Sequence, residues 1–126
     1  MTNVLVDTSV WVDHFRYRND TFIELLTRGR VMAHPLVVGE IACGTPPNRA
    51  QTLFDLGKLP QPRLASVREV IDFIGREQLF GQGCGLVDLL LLASTLMTPE
   101  TELWTLDSRL AAQAQRFGVM YQPTLH

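Results

Sequence analysis

Asn3-Val4-Leu5-Val6-Asp7-Thr8-Ser9-Val10-Trp11 opens with an apolar run that stops abruptly at an aspartate followed by two hydroxyls. Val4 to Val6 show no apolar–polar alternation, the pattern of a strand covered on both faces, as in a parallel sheet. Near the other end of the chain, Leu103-Trp104-Thr105-Leu106 stops in the same way at Asp107-Ser108. Both aspartates are therefore expected at the carboxyl end of a buried strand, where ligands collect in open parallel sheets. Each is also a good helix N-cap, and capping alone accounts for an aspartate at either place.

Two further acids resist that explanation. Glu40 interrupts Leu36-Val37-Val38-Gly39-Glu40-Ile41-Ala42-Cys43, and Asp88 interrupts Leu86-Val87-Asp88-Leu89-Leu90-Leu91-Leu92-Ala93. A charge within such a run is costly unless something compensates it, a paired arginine being the plain alternative. For Asp7, Glu40, Asp88 and Asp107 together, one divalent cation is the simplest compensator. Cys43 and Cys84 have no C-x-x-C spacing, and His14, His34 and His126 form no H-x-x-x-H pair, so zinc is disfavoured. Hard oxygen ligands favour Mg²⁺ or Mn²⁺.

The segments between these acids alternate strand and helix. The spacing predicts a strand over Asn3 to Val6, a helix from Val10 to Phe15, and a second helix capped by Asp20 and ending before Gly29. A strand over Val31 to Ala33 leads to Pro35, the first residue of the helix carrying Glu40, and Gly44-Thr45-Pro46-Pro47 stops that helix. Arg49 to Lys58 reads as a helix, Arg63-Leu64, after Pro60 and Pro62, as a short extended piece, and Ser66 as the cap of a helix bearing Val67, Val70, Ile71 and Ile74. Gly81 to Gly85 forms a loop before the Asp88 helix. Then come a strand over Glu102 to Leu106, a helix over Ser108 to Phe117 and a last strand over Val119 to Tyr121. This alternation implies a three-layer α/β domain, a mostly parallel sheet joined by right-handed crossovers and flanked by helices. Residues 1–126 are read as a single domain without repeats or linkers.

The composition agrees. A hydrophobic fraction of 46% over 126 residues supports a full core, and a charged fraction of 19% argues against disorder. Asp88 breaks the longest apolar stretch well short of the ~20 residues of a membrane span. Met1-Thr2-Asn3 lacks a basic n-region, and the reading is cytoplasmic, with both cysteines free. Net charge is −2, but ten of the 11 basic residues are arginine, the better bidentate phosphate ligand.

In the order Asp7 (V-L-V-D-T-S-V-W-V), Glu40 (P-L-V-V-G-E-I), Asp88 (G-L-V-D-L-L-L-L-A-S) and Asp107 (L-W-T-L-D-S-R-L), the chain resembles the PIN-domain ribonucleases. It is most similar to the VapC-type toxins of bacterial toxin–antitoxin pairs, and the likeness covers essentially the whole chain. It implies a compact α/β fold, Mg²⁺ or Mn²⁺, endonucleolytic cleavage of RNA, homodimers, and inhibition by a cognate antitoxin. By position, Asp7, Glu40, Asp88 and Asp107 take the catalytic and metal-ligating roles, with Ser9 and Thr105 as supporting hydroxyls. Trp11, Phe15 and Phe22 are candidates for partner or dimer contact, against core packing as the plainer role.

The expected reaction is hydrolysis by water activated at a bound cation, leaving a 5′-phosphate and a 3′-hydroxyl because the ribose 2′-hydroxyl takes no part. Single-stranded RNA is the expected target form, with Arg16, Arg18 and Arg109 as candidate backbone contacts. Two other readings stay open: an RNA-processing PIN nuclease without an antitoxin, and a non-catalytic module whose acidic pocket receives a partner's arginine. Other α/β families fit less well. A phosphorylated receiver needs a second acid beside Asp7, and Asp55 falls in a helix. A haloacid-dehalogenase phosphatase needs D-x-D where Ser9 stands, and the glycine loop lacks the P-loop Lys-Ser/Thr.

Overall fold

In a computed structural model, which describes residues 2–123, the strand that begins the chain lies at the centre of the sheet. Strand β1 (Asn3–Val6) has β2 (Val31–Met32) on one side and β3 (Thr101–Trp104) on the other, both parallel to it. Val4, Leu5 and Val6 are fully buried, which is why the run carries no polar alternation. A backbone bridge between Leu103 and Met120 extends the sheet beyond β3. The expected last strand is thus reduced to one bridge, held by Leu103 N–H on Val119 C=O and Tyr121 N–H on Leu103 C=O.

Seven helices among the described residues flank the sheet: α1 (Thr8–Tyr17), α2 (Asp20–Thr27), α3 (Pro35–Ala42), α4 (Arg49–Leu56), α5 (Val67–Arg76), α6 (Leu86–Met97) and α7 (Ser108–Arg116). Apart from that last strand, the predicted strands and helices are present with ends moved by a few residues, and the piece near Arg63-Leu64 carries no regular structure, tied down by Ala33 N–H on the Pro60 carbonyl and Arg63 N–H on Thr98 Oγ1. The cap of α2 is Asn19 rather than Asp20. Its side chain accepts from Phe22 N–H, and Asp20 becomes the first helical residue, where its charge still favours the helix dipole. Ser66 and Glu69 form a reciprocal capping box on α5.

Helix α6 is the hydrophobic spine. Leu89 through Thr95 are all buried, so it is covered on every side. Its buried hydroxyls are satisfied, Ser94 by the Ala65 N–H and Thr95 by the Leu91 carbonyl. On the other flank, Trp11 and Phe22 meet edge to face at 4.6 Å, and Phe22 reaches Trp104 at 6.0 Å. Trp11 and Phe22 are buried core residues and are not available for partner contact, while Phe15 packs half-buried against them. Among the described residues no helix is long and apolar enough to cross a membrane.

If β1 is the centre of the core, Leu5→Ala leaves a cavity and costs about 2–5 kcal/mol. Tyr17→Ala, at a position 76% exposed, should stay within about 0.5 kcal/mol. Urea unfolding of both variants measures this, and equal losses would contradict the central placement of β1.

Candidate active site

The parallel register sets the site. Val6 lies opposite Trp104, so Asp7 emerges just past the end of β1 with its N–H on the Trp104 carbonyl at 2.9 Å. Asp7 occupies the N-cap position of α1 in an extended conformation, yet its side chain makes no capping bond. Its Oδ2 instead accepts the hydroxyls of Ser9 at 2.7 Å and Thr105 at 2.8 Å. Ser9 Oγ in turn accepts Leu106 N–H, and Thr105 Oγ1 accepts Asp107 N–H, each at 3.0 Å. With each hydroxyl proton committed to Asp7, the 3.4 Å separation of the two hydroxyl oxygens is a contact without a proton between them. Asp7 is buried at this junction.

Asp107 keeps the capping role that its position suggests. Its Oδ1 accepts from Arg109 N–H at 2.8 Å and Leu110 N–H at 3.3 Å, at the start of α7. Asp88 lies in the first turn of α6, half-buried, and its Oδ2 accepts Gly85 N–H at 3.2 Å. Glu40 differs from the sequence expectation. It stands on the exposed side of α3, so the penalty of a charge in an apolar run does not arise there. Thr8 donates to Glu40 Oε1 at 2.7 Å and ties α1 to α3. Thr8 lies outside the expected set of site residues. Its signal is the double hydroxyl after Asp7, of which one proton goes to Asp7 and the other to Glu40.

All four carboxylates share one feature. Each has one oxygen oriented by protein donors, and among the described residues no donor reaches the other. None of the four forms an ion pair with a described arginine or lysine. The plainer explanation, an acid paired with arginine, therefore does not account for them. Burial first, and then the charges of Asp7, Asp107 and Glu40, push the Asp88 carboxyl up against the lowering effect of its Gly85 bond. Burial, with Asp88 and Asp107 behind it, also pushes the Cys84 thiol up, which keeps it protonated and a poor metal ligand.

The carboxylates thus lie within range of one another's charge, yet among the described residues no three such side chains close to metal-holding distance. The donor set fits a hard cation in kind: oxygen only, an unused oxygen on each carboxylate, and no competing positive side chain. His14 Nδ1 accepts Asn19 N–H and His34 Nδ1 accepts Leu36 N–H, so both are structural, while His126 lies outside the described residues. A cleft of about 410 Å³ opens beside Glu40 between α1, α3 and the turn over residues 44–47, with Arg16 and Phe15 in its wall. Arg18 pairs with Asp20 at 3.3 Å, and Arg109 lies against Gly83.

Ribonuclease VapC32 of Mycobacterium tuberculosis, from strain CDC 1551 / Oshkosh and from strain ATCC 25618 / H37Rv, is 40% identical to the chain over 116 residues. The match spans 92% of this chain and 94% of the relative. The chain belongs to the VapC ribonuclease family. No family model matches it. The parallel sheet flanked by helices is the α/β architecture expected from the acidic blocks.

In this VapC-family chain the raised Asp88 carboxyl has a consequence for stability. A raised folded pKa contributes stability that is fully present below the unfolded value, near 3.8, and is lost as pH climbs through the folded value. At neutral pH without metal, the ionised Asp88 therefore works against the fold. Asp88→Asn keeps an acceptor for Gly85 and removes the charge, so it should raise the melting temperature at pH 7 and change it little at pH 3. Thermal melts in chelator at both pH values test this. An equal shift at both would exclude charge as the cause.

Proposed function

We propose that this VapC-family chain is a metal-dependent endoribonuclease acting as the toxin of a toxin–antitoxin pair. The observation that carries the reading is that Asp7, Glu40, Asp88 and Asp107 lie within range of one another's charge, each with one anchored and one unused oxygen and without a cationic partner among the described residues. In this reading Asp7, Asp88 and Asp107, with Glu40 directly or through water, hold Mg²⁺ or Mn²⁺. The cation, when bound, supplies a lowered pKa for water and neutralises charge on the phosphoryl oxygens.

The chain's own residues do the positioning. Ser9 and Thr105 hold Asp7 Oδ2 and leave Oδ1 directed by elimination to the ligand. Asp107 Oδ1 is committed to the start of α7, and Thr8 fixes Glu40 by one oxygen. Arg16, in the cleft beside Glu40, would meet the RNA backbone, a contact that positions a strand without reading its sequence. Water attacking the phosphorus in line would form the new P–O bond as the P–O3′ bond breaks, leaving a 5′-phosphate and a 3′-hydroxyl.

The partners belong to the same proposal: an RNA substrate, a cognate antitoxin and a second copy of the chain. Support for a dimer comes from α5, where the apolar Val67 and Ile71 are 50% and 58% exposed one helical turn apart on the same face. Ile71→Glu should then shift the protein from dimer to monomer in light scattering after gel filtration. A wild-type chain that is monomeric at tens of micromolar would remove the dimer from the reading.

Cleavage is tested by mapping RNA 5′ ends in cells that express the wild type or Asp7→Asn, and by assays with and without chelator. Asp7→Asn, Asp88→Asn and Asp107→Asn should each lower cleavage by about a hundredfold or more, roughly 3 kcal/mol of transition-state stabilisation. Glu40→Gln should lose less if it acts through water. Wild-type cleavage by Asp7→Asn, or cleavage indifferent to chelator, would sink the proposal.

A further inference from the structure

The segment between α5 and α6 ends at Gly85, whose N–H is the protein donor to Asp88. Two arginines of α7 strap this segment down. Arg109 and Arg116 are seven residues apart, so both lie on one face of the helix. Arg116 Nη2 donates to the Glu77 carbonyl at 3.1 Å and pairs with the Glu77 carboxylate at 3.6 Å. Arg109 Nη1 donates to the Gly83 carbonyl at 3.4 Å. Its aliphatic arm lies so close that a Cβ on Gly83 would stand 2.7 Å from Arg109 Cδ and 3.3 Å from Nε. Gly83 also has φ of +89°, a conformation that favours glycine, and a Cβ there would push the Arg109 side chain aside.

The base of the strap is held as well. Asp107 accepts the backbone N–H of Arg109 itself, so the residue that reaches across to Gly83 is anchored by one of the four carboxylates. A continuous path therefore runs from Asp107 through Arg109 to Gly83, and two residues on to the Gly85 N–H and Asp88.

We propose that Arg109 is a positioning residue: braced against Gly83, it holds the Gly85 N–H where it orients Asp88 toward the other three carboxylates. The proposal rests on the reading of these carboxylates as one site, and it assigns Arg109 a role other than contact with RNA phosphate. Gly81 supplies a matched control. Its φ is +72°, but nothing lies within 4 Å of a Cβ placed there. An alanine at Gly81 therefore brings the backbone strain without displacing Arg109.

The test is amide hydrogen exchange by NMR on the metal-free full chain, with Gly85 measured relative to Leu91 so that any global loss of stability cancels. Arg109→Gln and Gly83→Ala should each speed Gly85 exchange by about tenfold, while Gly81→Ala stays within about twofold of wild type. In RNA cleavage, Arg109→Gln should lower kcat and leave KM and its salt dependence unchanged. An unchanged Gly85 rate in Arg109→Gln overturns the proposal. So does a raised KM with the salt slope reduced by about one, the signature of a lost phosphate contact. A wild-type chain that cleaves no RNA would reject the ribonuclease reading, and Gly85 exchange would still decide the brace.

Discussion

The in-register parallel pairing of β1 with β3 is the constraint on which the rest of the molecule depends. Because Val6 faces Trp104, the two strands end at one level and their continuations leave the sheet side by side. Ser9 and Thr105, 96 residues apart in sequence, then reach the same Asp7 oxygen. A shift of one residue in that register would turn every side chain of the shifted strand to the other face and part these hydroxyls. Val4, Leu5 and Val6 are buried in that same pairing, so the core and the meeting of Asp7 with Ser9 and Thr105 follow from one alignment.

The cluster itself is electrostatically incomplete. Buried or half-buried carboxylates normally find a cation or a full set of donors, because desolvation of an unpaired charge is expensive. Here Asp7 is buried and Asp88 half-buried, each with donors on one oxygen only, and no arginine or lysine among the described residues pairs with either. Asp88 carries the visible cost, its carboxyl raised first by burial and then by its three neighbours. Asp7 lies just past the carboxyl end of β1, where open parallel sheets receive ligands.

The arginines divide along a different line from the one suggested by residue type. Arg18 is spent on Asp20, Arg116 and Arg109 on the segment before α6, and Arg16 stands in the cleft beside Glu40. Glu40 is likewise reinterpreted. The apolar run around it suggested a buried charge, but α3 presents the acid to solvent and turns Val37 and Ile41 inward. A helix of only eight residues packs one narrow face, so an apolar neighbourhood in sequence is no guide to burial there.

Local signals in the sequence determined the element order, the central buried strand, the positions of the carboxylates past strand ends or on helices, and the capping box of α5. All of these depend on contacts within a few residues or on hydrophobic period. Asn19 displacing Asp20 as a cap and the shrinking of the last strand to one bridge were not legible, because competing local choices there differ by little energy. Only the tertiary structure decided that Asp7 forgoes its cap for two hydroxyls, that Thr8 holds Glu40, that Trp11 and Phe22 are core, and that Arg109 lies on Gly83. Each of these joins segments far apart in the chain. The side chains involved look the same in sequence whether they cap, pack or face a ligand, and only the packing of helices on the sheet selects among those roles.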